Sequence, residues 1–63
     1  MTKEDIHILI IEDEKSLARA LEMKLTRAGF EATAVFNGED AIALLEKENY
    51  DLIRISINRW INK

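Results

Sequence analysis

The sequence predicts a small α/β domain: a three-stranded parallel sheet of order 2-1-3, with β-α-β-α-β connectivity and one helix on each face. The stretch from Ile8 to Ile11 is a continuous apolar run, which is typical of a strand buried on both faces of a parallel sheet. Two segments with helical spacing of apolar residues follow, each leading into another strand-like segment, and crossovers of this length allow parallel pairing. Because the first strand is predicted to be buried on both faces, we expect it to lie between the other two.

The length and composition fit one small globular domain. A chain of 63 residues buries only ~60% of the surface that its unfolded form exposes, so oligomerisation is an available route to stability. The sequence has 48% apolar and 33% charged residues, which excludes a disordered class of protein. It has no cysteine, which excludes disulfides and thiolate metal sites and fits a reducing, cytoplasmic location.

Charge and hydropathy also bear on partners. The net charge of −3 argues against a nucleic-acid-binding surface. No apolar run approaches the length that spans a membrane, and the polar start of the chain is not a signal peptide. We therefore expect neither nucleic acid nor a membrane as a partner.

The first strand is predicted from His7 to Glu12, and a helix from Lys15 to Ala28. Asp13 or Glu14 can cap this helix or complement its first turn, and Gly29 is placed to end it in a left-handed conformation. Its apolar positions draw one stripe, which consists of Leu17, Leu21, Leu25 and Ala28.

The second strand is predicted over residues 31–36, at a sheet edge because its alternation is weak, with Ala32, Ala34 and Phe36 on one face. Asn37-Gly38 makes a turn. A second helix is expected over residues 39–49, and Tyr50-Asp51-Leu52-Ile53 opens the third strand. The apolar stripe of the second helix consists of Ala41, Ile42, Leu44 and Leu45.

Three carboxylates, Glu12, Asp13 and Glu14, follow the first strand directly. In open α/β sheets, ligands bind at the carboxyl ends of the strands, so this cluster is a candidate site. The competing interpretation is a solvated strand end whose carboxylates favour the start of the next helix. His7 begins the same strand without a second imidazole to complete a metal pair, so we interpret it as a peripheral strand residue.

Residues 6–53 resemble, without gaps, the amino-terminal half of a response-regulator receiver domain of two-component signalling. The matching segments are Ile8-Leu9-Ile10-Ile11-Glu12-Asp13-Glu14, Leu17 through Leu25, Ala28-Gly29-Phe30, Asn37-Gly38-Glu39-Asp40-Ala41 and Tyr50-Asp51-Leu52-Ile53. The resemblance implies half of a flavodoxin-like doubly wound fold and a histidine kinase as partner. It also assigns Glu12 and Asp13 to the magnesium site used in phosphoryl transfer, and magnesium prefers carboxylate oxygens and water.

After Ile53 the resemblance ends, and residues 54–63 form a divergent tail. Ser56 occupies the position of the phosphoacceptor aspartate, and Trp60 that of a family proline. A serine hydroxyl is a poor nucleophile without an adjacent base, and no histidine lies near Ser56 in sequence. We therefore expect a single truncated receiver-like domain, residues 1–63, that does not accept phosphate and is not an enzyme. Truncation, a frameshift or an engineered fusion would each produce this change of pattern after Ile53. The alternative function is a self-associating structural half-domain without signalling activity.

The third strand is expected to form an exposed edge, which favours pairing with a second copy of the chain. Alternation of Ile53, Ile55 and Ile57 favours a strand, whereas Ile57, Trp60 and Ile61 also fit one helical turn. We expect a homodimer that completes the sheet through Ile53, Ile55, Ile57 and Trp60, either side by side or by domain exchange.

Overall fold

The computed structural model describes residues 3–56, and two predicted interface residues, Ile57 and Trp60, lie outside this range. The elements follow the predicted order, with boundaries within two residues of the expected ones where both ends were predicted. After a short 3-10 turn at Lys3–Asp5, they are β1 (His7–Ile11), α1 (Lys15–Arg27), β2 (Glu31–Val35), α2 (Gly38–Lys47) and β3 (Leu52–Ile55).

The three strands form one parallel sheet of order β2-β1-β3, as predicted. The register aligns His7 with Glu31 on one side of β1, and Leu9 with Ile53 on the other. β1 is therefore the central strand of the described sheet, and β2 and β3 are its edges.

β1 is buried on both faces, which explains its unbroken apolar sequence. Leu9, Ile10 and Ile11 are fully buried, and Ile8 is 4% exposed. Alternation along a strand sends Leu9 and Ile11 to one face, where they cluster with Val35 of β2 and Ala41 of α2. Ile8 and Ile10 fill the opposite face, which α1 covers.

The predicted apolar stripe of α1 is correct in its centre and wrong at its two ends. Leu17 is 46% exposed and Ala28 is exposed, whereas Ala18 is fully buried and Leu21 and Leu25 are half-buried. The helix approaches the sheet through the small side chain of Ala18, and Leu17 lies about 100° around the helix from it. The buried face of the helix is therefore centred on Ala18, Leu21 and Leu25, and Leu17 and Ala28 lie outside it.

Local signals set both ends of α1, as predicted. The Glu14 carboxylate accepts a hydrogen bond of 3.1 Å from the Leu17 backbone N–H, which satisfies a donor of the first turn. Gly29 has φ 105°, a left-handed conformation that costs a glycine little. β2 can therefore follow two residues later.

The second half of the chain differs from the prediction in two details. Phe36 lies beyond β2, so it does not extend the face of Ala32 and Ala34. α2 begins at Gly38 because Asn37 is its N-cap, with the side-chain oxygen accepting from the Asp40 N–H at 2.7 Å. Of the predicted stripe, Ala41 is buried and Leu44 half-buried, while Ile42 and Leu45 are 50% and 37% exposed.

All four residues of β3 are exposed, including Leu52 at 58%, Ile53 at 44% and Ile55 at 42%. Within the part of the chain that the structure describes, no strand pairs with the outer edge of β3. Neither described helix has the length and apolar character needed to cross a membrane.

The burial of β1 predicts a large effect of Leu9→Ala. Removing this fully buried side chain should lower the free energy of unfolding by about 2–5 kcal/mol, as for other buried leucines. Met23→Ala truncates an exposed side chain on α1 and should change the free energy of unfolding by less than about 0.5 kcal/mol. Urea denaturation followed by circular dichroism measures both, and equal losses in the two variants would contradict the assignment of β1 as the core.

Candidate functional site

The candidate site lies at the carboxyl edge of the sheet, where β1 ends between its two neighbours. The Glu12 N–H donates to the Val35 carbonyl at 3.0 Å, and the Ser56 N–H donates to the Ile11 carbonyl at 2.8 Å. These two bonds continue the sheet pairing past the strand ends. Glu12 and Ser56 are therefore held on neighbouring segments at one edge, with a fixed backbone geometry.

The two predicted metal ligands have different environments. Glu12 is only 4% exposed, and its carboxylate Oε2 accepts a hydrogen bond of 2.9 Å from the Glu14 backbone N–H. Asp13 is exposed to solvent. Glu12 thus holds the turn that follows β1, while Asp13 presents its carboxylate to water.

The third carboxylate of the cluster serves the helix. Glu14 accepts from the Leu17 N–H, and the Ser16 hydroxyl donates to its two carboxylate oxygens at 3.0 and 3.2 Å. A charged acceptor at this position also complements the positive end of the helix dipole. For Glu14, the interpretation as a helix cap is therefore confirmed.

A cation lies beside the site as well. The Lys15 ammonium is 5.4 Å from the centroid of the Phe36 ring, within the range of a cation–π contact. Lys15 follows the acidic cluster, and Phe36 follows β2, so this contact joins the two connections at the carboxyl edge.

The donor set at this edge suits at most a loosely held hard cation. Among residues 3–56, no group of three or more His, Cys, Asp or Glu side chains is arranged to hold a metal ion. Magnesium keeps several waters when it binds through one or two carboxylates, so Glu12 and Asp13 have suitable chemistry for a partial site. The Glu12 carboxylate already accepts the hydrogen bond of the Glu14 N–H, which leaves Asp13 as the accessible ligand.

Sequence reasoning missed three features near the strand ends. Nothing in the sequence predicts the burial of Glu12, because a glutamate at a solvated strand end would give the same sequence pattern. The capping role of Asn37 was readable, since an asparagine three residues before an acidic residue at a helix start is a capping pattern. The sequence predicts a peripheral role for His7, and its contacts at the opposite end of the sheet depend on a strand register that composition does not reveal.

Fold and site together define a class of protein: half of a flavodoxin-like, doubly wound α/β domain with acidic residues at the end of its first strand. The sensory transduction protein RegX3 of Mycolicibacterium smegmatis is 42% identical over 50 residues, which cover 79% of this chain and 22% of RegX3. The probable transcriptional regulator ycf27 of Porphyra purpurea is 38% identical over 50 residues, 79% of this chain and 21% of the relative. The transcriptional regulatory protein AfsQ1 of Streptomyces coelicolor is also 38% identical over 50 residues, with coverage of 79% and 22%.

Over these 50 residues the chain is similar to response regulators of two-component signalling, and its fold is that of the amino-terminal half of a receiver domain. This confirms the family resemblance that the sequence indicates. The chain spans about a fifth of the length of the curated relatives that it matches. No family model matches it, and no solved structure does.

The different environments of the two acidic residues predict different effects on stability. Glu12→Ala removes the acceptor of the Glu14 N–H from a buried position, which should cost about 1–3 kcal/mol in the free energy of unfolding. Asp13→Ala removes an exposed carboxylate and should stay within about 0.5 kcal/mol of the unmodified chain. Chemical denaturation in metal-free buffer measures both; a larger loss for Asp13→Ala would contradict these roles.

Proposed function

We propose that the chain is a receiver-like signalling module that keeps a weak magnesium site at Glu12 and Asp13 but does not accept phosphate. The observation that supports this proposal is the position of Ser56, whose N–H bonds to the Ile11 carbonyl at the acidic edge. A receiver needs a nucleophilic carboxylate at that position, and a hydroxyl there carries no charge and has weak nucleophilicity.

Activation of Ser56 would need a general base within hydrogen-bond reach. The single histidine of the sequence begins β1, at the other end of a five-residue strand. At 3.3 Å per residue, that separation is roughly 16 Å, too far for proton transfer to the Ser56 hydroxyl. The histidine is therefore not a base for Ser56, and the proposal assigns no enzymatic turnover to this chain.

Magnesium, when bound, would supply positive charge that screens anionic oxygens at this edge. Asp13 would offer the accessible carboxylate, and Glu12 would offer its remaining lone pairs. Two carboxylates without a third charged ligand hold a hard cation weakly, so the affinity should depend on the residue at position 56.

Ser56→Asp tests this dependence directly. Adding a third carboxylate should tighten magnesium binding about tenfold, because the charge of the ligand set sets the affinity for hard cations. Ser56→Asn is the matched control, since it has the same shape without the charge and should bind like the unmodified chain. Magnesium titration followed by amide chemical shifts measures all three, and equal affinities for the Asp and Asn variants would contradict a site at this edge.

The proposed partner is a histidine kinase, which the similarity to response regulators supports. The alternative is a structural half-domain without signalling activity. An assay with phosphorylated histidine kinases distinguishes the signalling module from the structural half-domain. A signalling module should slow phosphotransfer from the kinase to a complete receiver domain. Its own intact mass should show that it gains no phosphate. Phosphorylation of the chain itself would contradict the main proposal, and no effect on any kinase would favour the alternative.

The proposal includes self-association through β3. Its supporting observation is that every residue of this edge strand is exposed, with Ile53 and Ile55 on the same face. Two β3 strands paired antiparallel across a twofold axis would give a six-stranded sheet and cover these isoleucines. Ile57 and Trp60, the other predicted interface residues, lie outside the described part of the chain and stay a prediction.

Self-association predicts a homodimer or larger species at micromolar concentration. Ile53→Lys should shift the equilibrium towards the monomer, because the substitution adds a charge to the pairing face. Met23→Lys adds the same charge to an exposed position on α1 and should leave the oligomeric state unchanged. Light scattering measures both; a folded, monodisperse monomer of the unmodified chain would contradict the interface.

A further inference from the structure

His7 lies at the amino end of β1, at the end of the sheet opposite the acidic edge. Its ring Nε2 is 2.7 Å from Oε1 of Glu31, the first residue of β2 and its partner in the sheet register. The backbone of Asn49, in the connection between α2 and β3, also favours the protonated ring and helps to raise its pKa. The imidazole therefore interacts with two different parts of the chain, β2 and the connection between α2 and β3.

A neutral imidazole has one N–H, so it can donate to only one acceptor at a time. The imidazolium has an N–H group at each ring nitrogen, so Nε2 always donates to Glu31, whereas a neutral ring does so in only one of its two tautomers. Its positive charge also faces the carboxylate of Glu31, and a charge-assisted hydrogen bond is stronger than a neutral one. The protonated form of His7 is thus the form that fits its surroundings.

The backbone of His7 is tied to the same connection. Its N–H donates to Oδ2 of Asp51 at 2.7 Å, and its carbonyl accepts from the Asp51 N–H at 2.9 Å. With the Glu31 contact, these bonds cross the amino ends of all three strands.

The aromatic neighbour of His7 anchors this end of the sheet to the core. The Tyr50 ring centroid is 6.0 Å from that of His7, and Tyr50 packs against the buried cluster around Leu9 and Ile11. The Tyr50 hydroxyl donates to Glu48 at 3.1 Å. The titratable groups that face the imidazole are therefore the carboxylates of Glu31 and Asp51, with the Tyr50 phenol and its Glu48 partner behind them.

We propose that protonated His7 is a pH-sensitive strap, which fastens β2 and the α2–β3 connection across the amino end of β1 and loosens when the imidazole becomes neutral. The side chains of β3 are all exposed and contribute little burial, so contacts of the connection that precedes it carry more weight in holding it to the sheet. The inference is independent of the function proposed for the acidic edge, which lies at the other end of the strands.

Electrostatics set the direction of the response. The hydrogen bond to Glu31 raises the pKa of His7 above its usual value of 6.5, opposed by some desolvation and supported by the charges of Glu31 and Asp51. A histidine with a raised pKa contributes stability that is complete below pH 6.5 and is lost as the pH rises through its folded-state pKa. Burial and the Glu48 hydrogen bond raise the pKa of Tyr50, so its phenol stays neutral over this range.

The first measurement is the imidazole titration, which is unambiguous because the chain has a single histidine. The NMR signal of the ring C–H should titrate above pH 6.5 in the unmodified chain and lower in Glu31→Gln, which keeps the shape but removes the charge. Glu39→Gln removes an exposed carboxylate in the first turn of α2, at the other end of the sheet, and should leave the titration unchanged. The same pKa in the unmodified chain and in Glu31→Gln would overturn the proposal.

The second measurement tests the consequence for stability. The urea midpoint of the unmodified chain should fall between pH 6 and pH 8.5 by more than that of His7→Gln, which has a neutral side chain at both pH values. Amide hydrogen exchange, corrected for its intrinsic pH dependence, should show that the Asp51 and Ser56 amides lose protection first. An identical pH dependence in the unmodified chain and in His7→Gln would overturn the strap even if the titration shift is present.

Discussion

The burial of β1 on both faces is the constraint on which the rest of the structure depends. Four consecutive apolar residues, at most 4% exposed, leave no side of this strand for water. Both helices must therefore cover it, and both other strands must pair with it. The polar groups accordingly gather at its two ends, where Glu12 and His7 bond to neighbouring segments. The buried core and the candidate site therefore both follow from the central position of β1.

Much of the fold is predictable because its signals are local. The apolar run of β1, the left-handed Gly29 and the Glu14 cap each act within a few residues, and each appears as expected. The buried face of α1 is not predictable in this way, because it depends on how closely Ala18 approaches the sheet.

The candidate site is likewise predictable from the sequence in part only. Sequence places Glu12, Asp13 and Ser56 at one edge, since the carboxyl ends of parallel strands meet there. It does not reveal that Glu12 turns inward to hold the next turn, or that His7 meets Glu31 across 24 positions. Side-chain direction and strand register decide both contacts, and neither follows from residue type. Of the acidic pair, Glu12 is thus a buried hydrogen-bond acceptor that fixes the loop, and Asp13 is exposed to solvent.

The unequal burial of the two edge strands has a consequence for the order of folding. Pairing β1 with β2 joins residues 24 apart, and pairing β1 with β3 joins residues 44 apart. Loop-closure entropy separates the two steps by only about 0.5 kcal/mol, so chain length alone does not set the order. β2 contributes Val35 to the core, whereas β3 buries no side chain. We therefore expect the β1–α1–β2 unit to form first and β3 to join the sheet afterwards.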